Sequence, residues 1–153
     1  MASTLTTACQ RATAEERTVL YVQVYDENTL RIAARWRQVL LDLPGGVGLQ
    51  VAPVENVVRA AELRQQRRPA PWPRPTFILH DPSSRRCAKA LSGFLKERLA
   101  PLPAGNKASA GADDKTWMRD LPATQANRRA EVIELWLPTG SLSDAQTSAV
   151  VSR

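Results

Sequence analysis

Val19-Leu-Tyr-Val-Gln-Val-Tyr25 runs straight into Asp26-Glu-Asn-Thr29, and the join between these two stretches decides the fold. The first stretch is β-branched and aromatic, with apolar residues on both faces, which predicts a central strand covered on at least one side. The second supplies N-capping oxygens and early negative charge, and Leu30, Ala33, Ala34, Arg37, Leu40 and Leu41 then recur at helical spacing. A strand thus hands over to a helix, which Leu43-Pro-Gly-Gly46 breaks. Gly48-Leu-Gln-Val-Ala52 alternates as a short strand, and Pro53 limits it to an edge or a strand end.

Working outward, Val57 to Arg67 carries a helical pattern of lower regularity. Arg67-Arg-Pro-Ala-Pro-Trp-Pro-Arg-Pro75 then favours extended polyproline geometry, making 53–75 a long connection. Thr76 to His80 predicts a strand, and Asp81-Pro82 opens a helix, with Asp81 as the cap and Pro82 at the first helical position. The stripe of that helix is Ala88, Leu91, Leu95 and Leu99, with Phe94 beside it. Residues 101–115 read as a flexible loop, Trp117 to Leu121 as a short strand and Glu131 to Leu137 as a longer one. The expected organisation is a leader at 1–17, one domain at 18–138 and a disordered tail at 139–153. The expected class is α+β: a split βαβ (ferredoxin-like) antiparallel sheet with two helices on one face. A flavodoxin-like three-layer α/β fold is the alternative if Val57 to Arg67 is a true helix.

The chain has 153 residues and a formal net charge of +6, from 21 Lys+Arg against 15 Asp+Glu. One core is affordable at this length, and no apolar run reaches the roughly 18 residues of a membrane-spanning helix. Cys9 follows a small residue, as in lipoprotein signals, but without their basic start and apolar core. Cys9, Cys87 and the single His80 assemble no zinc spacing, so no cofactor or metal is expected, and two free cysteines point to a reducing cytoplasm.

The charge is unevenly spread. Arg59, Arg64, Arg67, Arg68 and Arg74 stand against Glu62, and Arg85, Arg86, Lys89, Lys96 and Arg98 stand against Glu97. Each segment carries +4 and the remainder −2, and the two flank the strand 76–80. A cationic region of this kind suits an acidic protein surface first and nucleic-acid phosphate second. The plainer reading is that these charges only solvate the surface. The candidate binding residues are Arg59, Arg64, Arg67, Arg68, Trp72, Arg74, Arg85, Arg86 and Lys89. Trp72, held between prolines, is either an apolar anchor for a partner or a lid over the core. Trp36 and Trp136 read as core. His80 beside Asp81 resembles a general-base pair, yet Asp81 is already used as a cap and no nucleophile accompanies them, so no catalytic residue is assigned.

Tyr21-Val-Gln-Val-Tyr25, followed by Ala33 or Ala34 and Leu40, resembles the opening of SPOR domains and, more distantly, the C-terminal domain of LytR-type envelope proteins. The resemblance spans Val19 to Leu99 in pattern and implies a βαββαβ order with glycan bound at the sheet. It carries over no binding residue, so peptidoglycan ranks last among the partners. The function expected from the residues is a non-enzymatic adaptor module that docks an acidic protein in a bacterial multi-component system.

Overall fold

The computed structural model describes residues 8–9, 18–43, 49–96, 99, 116–120 and 132–143. In chain order these form β1 (Thr18–Val24), α1 (Glu27–Leu41), β2 (Leu49–Val51), β3 (Glu55–Asn56), α2 (Val57–Leu63), β4 (Thr76–Leu79), α3 (Arg85–Leu95), β5 (Trp117–Asp120) and β6 (Val132–Leu137). A single 3₁₀ turn, Pro82–Ser84, leads into α3. The predicted loop at 101–115 lies outside the described residues, as does most of the leader.

The fold is mixed α and β, built on a sheet with strand order β2-β1-β6-β4-β5. β1 pairs in parallel with β2 and β6, β4 pairs antiparallel with β6, and β5 returns parallel to β4. β3 adds a second parallel pairing to β1 beyond the end of β2. This corrects the split βαβ expectation. β1 and β2 are direct parallel neighbours joined by α1, and the last strand, β6, fills the place between β1 and β4. The helix on which the flavodoxin-like alternative depended is present as α2, but the sheet is mixed, whereas that fold needs a wholly parallel one.

Two helices do share one face of the sheet. Leu20, Val22 and Val24 of β1, Phe77 and Leu79 of β4, and Ile133, Leu135 and Leu137 of β6 point into one core with α1 and α3. Trp36 of α1 and Phe94 of α3 meet there with ring centres 6.1 Å apart. Asp26 caps α1 as its sequence indicates, accepting from the Thr29 N–H at 3.2 Å. Ala33, Leu40 and Trp36 are buried as expected, and the face differs at its rim: Ile32 is buried, while Ala34 is exposed and Leu41 is 41% exposed. Of the stripe expected for α3, Ala88, Leu91 and Leu95 are buried on the helix, while Leu99 is buried beyond its end.

Two further corrections concern the ends. Cys9 and Cys87 are joined by a disulfide across 78 residues of sequence, so neither is a free thiol. Both are buried in the core, and the Cys9 carbonyl accepts from the Thr18 hydroxyl at the start of β1. At the other end the fold continues past Pro138, into what the sequence reads as tail. The Ser141 N–H donates to the Pro138 carbonyl at 3.0 Å, with Gly140 at φ 78° supplying the left-handed residue of the turn. Leu142 is buried and bridges to Leu99.

Candidate functional site

The other face of the sheet holds the polar and aromatic residues. Side chains alternate across a strand, so the register places Trp117, Thr76, Trp136 and Gln23 in one row of that face. Arg119, Ile78, Glu134 and Tyr21 form the next row. Trp136 therefore stands outside the α1–α3 core in which it was expected. Its ring lies 6.0 Å from that of Tyr25, and its indole N–H donates to Glu134 Oε1 at 2.9 Å. The second oxygen of Glu134 meets His80 Nε2 at 2.7 Å. His80 thus pairs with Glu134, and Asp81 caps the turn after β4 by accepting from the Ser83 N–H.

The arginine- and proline-rich connection closes over one end of this face. The Tyr25 hydroxyl donates to the Ala70 carbonyl at 3.2 Å, tying residues 64–75 to the end of β1. Burial raises the pKa of this phenol above its usual value, with a backbone hydrogen bond at Trp72 partly opposing. Beyond Trp72 the chain meets β5 in a stack of alternating rings and guanidiniums. Arg119 lies 5.6 Å from the Trp72 ring centre and 5.2 Å from that of Trp117, and Arg74 lies 5.0 Å from Trp117. Arg74 is buried, so its charge is held inside the stack rather than offered to solvent.

The remaining candidate residues divide between the two sides of the sheet. Arg59 sits on α2, near the β1–β3 end, and pairs with Glu27 at 3.0 Å; Arg68 pairs with Glu62 at 2.8 Å. Arg64 and Arg67 are exposed. Arg85, Arg86 and Lys89 stand on α3, where Arg85 pairs with Asp120 of β5 at 2.8 Å. The first and last strands of the sheet are four spacings apart, about 19 Å at the usual strand separation of ~4.8 Å. Arg59 and Arg68, paired at α2, are thus held apart from the α3 cations, while Arg74 of the same segment reaches the β5 stack. Arg119 was missed because it belongs to neither charge-rich segment. The alternation Trp117-x-Arg119, which puts both on one face, is the signal that reveals it.

Three depressions border these residues. One of about 600 Å³ lies between Tyr21 and Gln23 of β1 and Ala60 and Leu63 of α2. Two smaller ones, of about 480 and 350 Å³, flank β5, lined by Trp117 to Asp120 and by Arg85, Lys89, Ser92, Thr116 and Met118. No group of three or more metal-ligating side chains occurs among the described residues. No family model matches the chain, and neither the curated proteins nor the solved structures contain a match.

Proposed function

We propose that this chain is a non-enzymatic interaction module that docks an acidic surface of a protein partner in a bacterial multi-component system. The observation that carries this reading is the stack of Trp72, Arg119, Trp117 and Arg74 beside the α3 cations. The indoles of Trp72 and Trp117 fix the exposed Arg119 guanidinium before any partner arrives, so less side-chain freedom is lost on binding than with a free arginine. No carboxylate among the described residues pairs with Arg86, Lys89 or Arg119. The same stack argues against nucleic acid, since ring faces already covered by guanidiniums are poor platforms for bases.

The disulfide bears on the compartment. The expectation of a reducing cytoplasm rested on two free cysteines, and a buried Cys9–Cys87 bond favours an oxidising compartment instead. That favours envelope glycan as a second reading, although the strand order is not the one the SPOR resemblance implies, and co-sedimentation with insoluble peptidoglycan tests it. For the main reading, the disulfide-bonded protein is titrated with polyglutamate, single-stranded DNA and RNA at about 50 mM salt, where charge contacts are least screened. Binding of polyglutamate with at least tenfold preference over both nucleic acids is expected. Equal or stronger binding of nucleic acid overturns it.

A further inference from the structure

The two edges of the sheet are finished differently. At the β2 edge, the Arg37 guanidinium donates to the Val51 carbonyl at 2.9 and 3.2 Å, occupying an outward acceptor that a further strand would need, and to the Ala52 carbonyl at 3.1 Å. At the β5 edge the Trp117 N–H donates inward to the Pro75 carbonyl at 2.8 Å, which fixes the phase of the parallel pair. Backbone groups of Trp117 and Arg119 therefore face β4. Those of Met118 and Asp120 face away from the sheet, and no strand among the described residues pairs with them.

We infer that β5 is a docking edge that takes up an extended acidic segment of the partner as an added strand. Main-chain hydrogen bonds to Met118 and Asp120 supply the attachment. Side chains of an added strand alternate between the two faces, and a cation waits on each. Arg119 stands on the side of the 480 Å³ depression, and Arg85 and Lys89 line the 350 Å³ depression on the α3 side. Among the described residues the carboxylate beside this edge, Asp120, is paired with Arg85, which leaves Lys89 as the unpaired cation of the α3 side. This charge balance selects an acidic occupant. It also disfavours a second copy of this chain, which would bring Arg119 and Lys89 against their own counterparts. The inference rests on the adaptor reading and adds to it the partner's conformation and its place of attachment.

The test uses the full-length, disulfide-bonded protein and three fluorescent ten-residue peptides: alternating Glu-Val, alternating Lys-Val and alternating Glu-Pro. The Glu-Pro peptide keeps the charge of the Glu-Val peptide, loses every second backbone N–H and is held away from β geometry by its prolines, so it pairs poorly with a strand edge. Fluorescence anisotropy should give binding of Glu-Val at least tenfold tighter than of either other peptide, with new exchange protection of the Met118 and Asp120 amides. R119E should weaken Glu-Val binding about tenfold, whereas R64E/R67E, which lines neither depression at β5, should leave it unchanged. Met118→Pro removes an outward N–H and should act like R119E; if it does not fold, R119E carries the test. Equal binding of Glu-Pro and Glu-Val, loss through R64E/R67E, or self-association through β5 each overturns strand addition while leaving the acidic-partner reading standing. That reading falls separately, if polyglutamate does not bind.

Discussion

At the scale of single residues, the open sheet face depends on one carboxylate. Glu134 satisfies both the Trp136 indole N–H and His80, at 2.9 and 2.7 Å, and its side chain is 22% exposed. Removing it strands two partly buried polar groups, so Glu134→Ala should lower unfolding stability by about 1–3 kcal/mol in urea titration. Glu134→Gln keeps an acceptor and should lose less than half as much. Tyr25 makes a second prediction. Its phenol is neutral in the fold over a wider pH range than in the unfolded chain, because burial disfavours the phenolate. The unfolded chain therefore loses its proton first as pH rises, so the contribution of Tyr25 to stability is complete below pH ~10 and falls above it. Tyr25 should ionise later in the folded protein than in denaturant, and Tyr25→Phe should remove that delayed step from the tyrosinate absorbance titration. The His80 pairing was not legible in the sequence. Asp81 is its neighbour in the chain, but Glu134 is 54 residues away and arrives only through the β4–β6 register.

At the scale of elements, local signals read well and long-range pairings did not. Asp26 before α1, Asp81 before the turn into α3, and the Ala88–Leu99 stripe are properties of neighbouring residues, so composition and spacing reveal them. The place of β6 between β1 and β4 is a contact across most of the chain, and no short-range pattern distinguishes it from an edge position. That is where the split βαβ expectation failed. The same holds for the disulfide, since two isolated cysteines 78 residues apart give no spacing to read. The bond ties the leader to α3 and closes a loop for which chain entropy predicts about 4–5 kcal/mol of stabilisation. Cys9→Ser/Cys87→Ser should lower the urea midpoint accordingly and raise exchange at the first amides of α3. A midpoint unchanged from the disulfide-bonded protein would mean that the leader is not fastened to the core.

At the scale of the whole molecule, the cations of the described residues that the sequence singles out fall at α2 and at the β5–α3 side. On the α2 side, Arg59 and Arg68 are paired with Glu27 and Glu62, at 3.0 and 2.8 Å. Exposed pairs of this kind contribute little to stability and partly cancel the local field. On the β5 side, Arg119 joins Arg85, Arg86 and Lys89, and a strand edge lies between them. The charge-rich segments were visible in the sequence. The separation of Arg59 and Arg68 from the α3 cations was not, because it follows from strand order. The most direct measurement of the central claim is the affinity for polyglutamate of the disulfide-bonded protein beside its R86E/K89E/R119E variant, at one salt concentration. The adaptor reading predicts a loss of at least tenfold in the variant with the folded circular dichroism spectrum retained. A folded variant that binds polyglutamate as tightly as the parent protein would contradict it.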